Sequence, residues 1–361
     1  MKYKLGEICE IVSGSTPKTG VEEFWDGEEK WITPAELTDD SYIITDSIRK
    51  VTQIGVKKTG LRSFPKGTVI LSARAPIGKV AIAGCDMYCN QGFKNLICSE
   101  KINNKYLYWF LKTHTLYLNS LGRGATFKEI SKSIVSEIEI DVPEIEEQER
   151  AAAILEKIST IIKLRKKEMI QLDKLIRARF VEIFGECLNK LSMEDLCSII
   201  TDGTHQPPKF QSEGIPFIFV SNLSENKLTY NAEKYINDET YSELYKRTPI
   251  ERGDILLSTV GSYGHPAVVI EDKKFLFQRH IAYMKPKRSI INSFYLHSAL
   301  LAPDAQKQIE ERVKGIAQKT LNLSEIRKIM IPVPPLDLQN QFADFVKAVD
   351  KSKVALGNTF Y

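Results

Sequence analysis

Two stretches of this chain, far apart, carry one pattern. Gly124-Ala-Thr-Phe-Lys-Glu-Ile leads to Ile140-Asp-Val-Pro-Glu-Ile-Glu-Glu-Gln148, and Gly315-Ile-Ala-Gln-Lys-Thr-Leu leads to Ile331-Pro-Val-Pro-Pro-Leu-Asp-Leu-Gln339, ungapped at a constant offset of 191 residues. A period that long is a duplicated domain and not a solenoid unit. The duplication reaches upstream: Gly67-Thr-Val-Ile-Leu-Ser72 returns as Gly253-Asp-Ile-Leu-Leu-Ser258, Gln91 as Gln278, and Ile102-Asn-Asn-Lys-Tyr-Leu107 as Ile291-Asn-Ser-Phe-Tyr-Leu296. The offset grows from 186 to 191, as a few loop insertions would produce. The chain is two copies of one module, and its function must use both.

A length of 361 residues gives each copy room for its own core. No run of eighteen apolar residues occurs and the N-terminus lacks a signal-peptide core, so the expected location is the cytoplasm with no membrane association. Six irregularly spaced cysteines favour reduced thiols; Cys85 and Cys89 have no second pair with which to hold zinc, and no metal site is expected. A net charge of +4 permits a polyanionic partner without demanding one.

Each copy reads as a mixed, β-rich globular part followed by a helix. Thr68–Ser72 and Lys79–Ala83 are short apolar runs punctuated by Pro76 and Gly78, a pair of strands joined by a turn. Leu256–Thr259 and Ala267–Ile270 are their counterparts. Lys105–Lys112 and Phe294–Leu301 read as short amphipathic helices closing each globular part. From Pro143 the texture changes: acidic residues crowd a helix start, and neither proline nor glycine recurs until Gly185. Leu155, Ile162, Met169, Ile176 and Ile183 recur every seven residues, with Ile158, Arg165, Leu172 and Arg179 between them, a heptad seam interrupted by two arginines. At 1.5 Å per residue the rod is about 60 Å long and needs a partner. After Pro334-Pro335, Phe342, Val346, Val349 and Lys353 fall at the matching positions, but that helix is short, leaving the far half of the first without an internal mate. The implied segments are 1–143, 144–187, 188–334 and 335–361.

The helix entrances "IDVPEIEEQERAAAILEKI" and "IPVPPLDLQNQFADFV", the opening "VSGSTPKTGVEEFWDGEEKWITPAELT" and the later "TDGTHQPPKFQSEGIPFIFVSNL" resemble, in that order, the DNA specificity (S) subunit of type I restriction–modification systems, over nearly the whole chain. The resemblance implies a mixed α/β (α+β) fold of two target recognition domains separated by an antiparallel coiled-coil helix pair. Each domain would read one half of a split double-stranded DNA target, and the helices would set the spacing and dock two methyltransferase (M) subunits, through which the translocating nuclease (R) subunits bind. It further implies a non-catalytic chain that binds no cofactor, with S-adenosylmethionine, ATP and magnesium on the partner subunits. Leu155, Ile158, Ile162, Met169, Leu172, Ile176, Phe342, Val346 and Val349 are then the docking-helix residues.

A base reader needs amide, hydroxyl and guanidinium groups on loops, with cations for phosphates. In the first copy Ser13, Ser15, Thr16 and Lys18 form one polar loop, either a DNA contact or an ordinary turn, and Trp31 is a weaker candidate that reads more readily as a loop anchor. Arg74 and Lys79 flank a hairpin tip. In the second copy Asp202, Thr204, His205 and Lys209 occupy the matching first loop; Asp202 would accept from cytosine or cap a turn, and His205 lacks metal-spaced partners. Ser258, Thr259, Ser262, Tyr263 and His265 align with the Arg74 turn, followed by Gln278 and Arg279. Arg123, Thr126, Lys128, Gln318 and Lys319 lie in the loops before each helix. The contrast between a cationic turn and a hydroxyl- and imidazole-bearing one would give an asymmetric target. On the long helix, Lys163, Arg165, Lys166 and Lys167 form a cationic patch, either a solvated face or a contact with M or DNA.

No GxxxxGK[ST] loop, GxGxxG fingerprint, HExxH motif or Asn/Asp-Pro-Pro-aromatic methyltransferase motif occurs. Two readings of other classes stay open at this stage: an inert adaptor bridging two copies of a partner protein, and an enzyme with unrecognised nuclease or methyltransferase chemistry.

Overall fold

The computed structural model describes residues 1–74, 76–124, 128–315 and 318–357. It divides into two compact units, Met1–Ile162 and Lys163–Tyr361.

In unit 1 a five-stranded sheet runs in the order Cys9–Ser13, Lys94–Cys98, Val69–Leu71, Val80–Ala83, Ile43–Ile44. Its pairs are antiparallel except the last, which is parallel. Val69–Leu71 and Val80–Ala83 are buried throughout, as continuous apolar runs in a sheet covered on both faces should be. A smaller sheet orders Arg49–Val51, Trp25–Ile32 and Tyr88–Cys89, and a two-stranded ribbon pairs Lys2–Lys4 with Glu139–Asp141.

Unit 2 repeats the plan. Its main sheet orders Cys197–Asp202, Ile281–Pro286, Ile255–Ser258 and Pro266–Val268, all antiparallel; its smaller sheet orders Tyr235–Ile236, Ile215–Ile218 and Leu276–Phe277. Lys190–Ser192 and Met330–Pro332 form the matching ribbon. The two expected strand pairs are thus hairpins, with every end within two residues of that predicted.

The helices Asn104–Thr113 and Ser293–Leu301 are each started by an asparagine, Asn103 and Asn292, whose side chain accepts from the next two free amides. The second is not amphipathic, contrary to expectation. Tyr295, Leu296, Ser298, Ala299 and Leu300 are all buried, because the sheet covers one side and the C-terminal helix another.

The glutamine that closes each repeat ties each long helix to its unit. Gln148 donates to the carbonyls of Lys101 (3.0 Å) and Pro143 (2.8 Å) and accepts from Asn103 N (2.8 Å). Gln339 does the same with Ile290 (3.0 Å), Pro334 (2.8 Å) and Asn292 N (2.9 Å), and both side chains are fully buried. Every polar atom is used, as burial of an amide requires.

The central helix is unbroken over Ile145–Phe184, and the C-terminal helix runs Leu336–Gly357. Within unit 2 the two are antiparallel: Phe342 packs on Phe180 and Phe184 with ring centroids 5.4 Å apart, while Lys353, further along, pairs with Asp173 at 2.6 Å. Phe342, Val346 and Val349 are buried and Ile176 is packed against the core, but the seam departs from a heptad. Phe180 and Phe184 make the contact, and Ile183 is exposed. A row spaced by four suits a helix leaning on a globular core, where no superwinding holds a seven-residue repeat in register. Leu155 and Leu172 are half-buried, whereas Ile158, Ile162 and Met169 are exposed among the described residues. Lys353 stays charged: burial works against it, but the Asp173 and Asp350 carboxylates hold its pKa above the usual lysine value.

Candidate functional site

In each unit the polar loops singled out in the sequence converge at one end of the main sheet, held by the same backbone bonds. The hairpin residue before the turn donates its amide to a loop carbonyl: Ala73 N to Gly92 O (2.7 Å) in unit 1, Thr259 N to His280 O (3.0 Å) in unit 2. Its own carbonyl accepts from the segment after the repeat glycine, Ile130 N (3.0 Å) or Leu321 N (2.8 Å). That segment bridges the hairpin tip through Arg74 and Glu129, or Val260 and Thr320. The first loop is pressed on the same floor. A Cβ on Gly14 would fall on the carbonyl of Cys89, and one on Gly203 on that of Phe277, so only glycine allows the approach.

The tips differ in chemistry. In unit 1 Arg74 Nε donates to Glu129 Oε2 (2.7 Å) and Lys94 Nζ to Glu129 Oε1 (3.3 Å). Burial works to raise the Glu129 pKa, but these two cations win and hold it below the usual carboxylate range. Lys94 also reaches Gln91 O (3.5 Å), and Gln91 Oε1 accepts from Thr16 Oγ1 (2.5 Å), so one polar chain crosses from the first loop to the hairpin tip. Ser13, Ser15, Lys18, Arg123 and Lys128 are exposed around it. Thr126 lies outside the described residues.

In unit 2 Asp202 is held by Arg247 (2.7 Å) and His205 (2.8 Å). Thr204 N donates to Phe277 O (2.9 Å) and Arg279 N to Thr204 O (3.1 Å), placing Gln278 and Arg279 beside the first loop. Tyr263 Oη donates to Glu310 (2.7 Å), which also accepts from Lys319 (3.1 Å); the tyrosine bond first and the lysine second hold the Glu310 pKa below the usual range. Lys209, Ser262, Arg279 and Gln318 are exposed.

Three candidates have no free surface to offer. Trp31 is buried, its indole N–H donating to Ser15 O (3.1 Å), and serves as the anchor of the first loop. Ser258 is buried and its hydroxyl accepts from His265 N (3.0 Å), as that of Ser72 accepts from Lys79 N (2.8 Å). Thr259 is buried in the bonds that join hairpin and loops. A buried hydroxyl that closes a turn looks, in sequence, like one offered to a groove. Lys79 is half-buried and donates to Leu37 O (2.6 Å). Sequence reasoning missed Lys94, Glu129, Arg247 and Glu310, which set the charge of the tips; only the repeat alignment of Glu129 with Thr320 pointed to one of them.

Among the described residues no group of three or more His, Cys, Asp or Glu could hold a metal ion, and no helix is long and apolar enough to cross a membrane.

The type I restriction modification DNA specificity domain matches this chain twice, over residues 1–174 and 189–359. The chain is 31% identical over 370 residues to the MjaIX type I restriction enzyme specificity subunit of Methanocaldococcus jannaschii, covering 95% of this chain and 85% of that protein. It shares its fold with the type I restriction–modification S subunit from M. genitalium, at a TM-score of 0.53 and 15% identity over 99% of this chain and 91% of the other. A chain from a structure of type I system assembly and conformational transition gives a TM-score of 0.58 at 17% identity, over 99% and 92%. Two matched domains, near-complete coverage and a duplicated loop platform lead to one conclusion: this chain belongs to the type I restriction–modification DNA specificity family.

Proposed function

We propose that each unit reads one half of a bipartite, asymmetric duplex target, and that the chain performs no chemistry itself. The observation that carries this is the repeated loop platform. The same backbone bonds hold it in both copies, while its exposed side chains differ, Arg74, Arg123 and Lys128 in one and Ser262 and Arg279 in the other, with a half-buried Tyr263 beside them. Identical scaffolds with unlike tips suit two readers of unlike half-sites. The exposed apolar residues of the central helix, Ile154, Ile158 and Ile161, support its use as a docking surface for two methyltransferase subunits, with nuclease subunits attached through them. S-adenosylmethionine, ATP and magnesium are assigned to those partners, and the complex to the cytoplasm.

The test is to express the chain with its methyltransferase subunits and map methylated bases across a genome. A split, asymmetric motif is expected, with a gap that changes when the helix is lengthened between Ala151 and Arg179; a continuous motif overturns the two-reader assignment. Binding should also weaken steeply with salt as neutralised phosphates release counterions, and a flat salt dependence would favour a protein adaptor.

A further inference from the structure

The two hairpins carry different residues at one structural position, Lys79 in unit 1 and His265 in unit 2, each the residue whose amide bonds the turn serine. Both are held from the side by a neighbouring loop, and that loop is held in turn by the short helix behind it. In unit 1 Lys79 Nζ donates to Leu37 O, and Tyr108 Oη on the helix donates to Ser41 O (2.8 Å). In unit 2 the loop residue is Asn226. Its Oδ1 lies 2.9 Å from His265 Nδ1, and its carbonyl lies 3.0 Å from Nε2 of His297 on the matching helix. The same His297 nitrogen lies 3.2 Å from the carbonyl of Pro266, the residue after His265. A nitrogen facing two carbonyls carries the proton, so His297 ties the Asn226 loop to the hairpin strand.

Asn226 has a φ of 56°, one of two non-glycine residues with a left-handed backbone among the described residues. Asparagine tolerates that conformation better than most residues, but glycine tolerates it without cost. An asparagine here therefore adds its side chain and nothing the backbone demands. An amide oxygen can only accept, so a neutral His265 ring bonded to Asn226 Oδ1 donates from Nδ1 and keeps Nε2 as its acceptor, with no partner for Nε2 among the described residues.

We propose that Asn226 is a positioning residue that fixes the tautomer of His265, making this position an acceptor in unit 2 where Lys79 is a donor in unit 1. Resting on the two-reader assignment above, the second half-site then includes a base presenting an amino donor in the major groove, adenine N6 or cytosine N4, opposite His265.

The experiment uses three full-length chains: wild type, Asn226→Gly and Asn226→Asp. Glycine keeps the left-handed backbone and its bond to His297 while removing Oδ1; aspartate keeps an acceptor there. In chains labelled with nitrogen-15 histidine, wild type and Asn226→Asp should show His265 protonated on Nδ1, and Asn226→Gly should shift toward the Nε2-protonated form. In the complex with methyltransferase subunits, Asn226→Gly should lose about tenfold discrimination at one base pair of the second half-site, the scale of one lost base contact, with the first half-site unchanged. An unchanged His265 signal in Asn226→Gly overturns the positioning role. An altered tautomer with unchanged discrimination overturns the reading role, and so does a loss spread over both half-sites. If wild type methylates no split target, the two-reader assignment fails, while the nitrogen signals still decide what Asn226 does.

Discussion

Replacing Gln339 by leucine should loosen the C-terminal helix from unit 2 without altering the shape of the core. The two side chains are close in volume, so the cost is polar and not a cavity. Gln339 makes three hydrogen bonds of 2.8–3.0 Å from a fully buried position. At about 1 kcal/mol net for each bond, the loss is about 3 kcal/mol, rising toward 5 kcal/mol because the Asn292 amide and two carbonyls are left without partners. For a unit of this size each kcal/mol moves Tm by about 2–4 °C, so unit 2 should melt on the order of 10 °C lower. Gln148→Leu removes the same three bonds in unit 1 and should cost the same within about 0.5 kcal/mol; the sites share no partner, so the double variant should be additive. Urea unfolding followed by a probe in each unit measures both. A loss under about 1 kcal/mol in both variants would refute the assignment of these glutamines as the bolts of the repeat, since that is what one exposed hydrogen bond is worth.

Phe342→Ala deletes a buried ring packed on Phe180, Phe184 and Tyr295 and should cost about 3–5 kcal/mol; hydrogen exchange should accelerate along 336–357, and full protection there would count against the helix contact. Arg74→Ala removes one of the two cations bound to Glu129 and an exposed charge at the unit 1 tip, so discrimination at the first half-site should fall about tenfold while the second is untouched, as read by methylation of DNA varied at each position. Burial holds the His297 pKa below its ordinary value, so the unfolded chain takes up the proton first as pH falls. Unit 2 should therefore lose stability as pH drops below about 6.5 and continue to lose it until the folded ring is itself protonated; His297→Gln should flatten that dependence in urea titrations between pH 7.5 and 5.5, and an unchanged slope would assign it to other groups.

Apolar runs and breakers were enough to locate Val69–Leu71, Val80–Ala83 and their counterparts, because a strand buried on both faces leaves few polar residues in its sequence. The central helix was legible to within a residue at its start for a similar reason, the proline entrance and long absence of breakers. The seam was less so. Heptad counting selected Ile183 and passed over Phe180 and Phe184, since the pattern of one helix does not reveal that its partner is a globular core with a short second helix. The helix after Asn292 reads as amphipathic only because what covers its second face is distant in sequence: Tyr295 packs against Phe342 of the C-terminal helix.

The duplication itself, its two unlike sets of loop residues and the family they resemble were determined by the sequence, because gene duplication preserves order and spacing that the chain carries openly. What those loop residues do was decided by tertiary structure. Trp31, Ser258 and Thr259 face inward, Asp202 is neutralised by Arg247, and Arg74 is shared with Glu129. Whether a hydroxyl or a cation is free for DNA depends on who its neighbours are, and those neighbours come from segments 45 to 55 residues away along the chain. Spacing cannot express that; only the packed loops can.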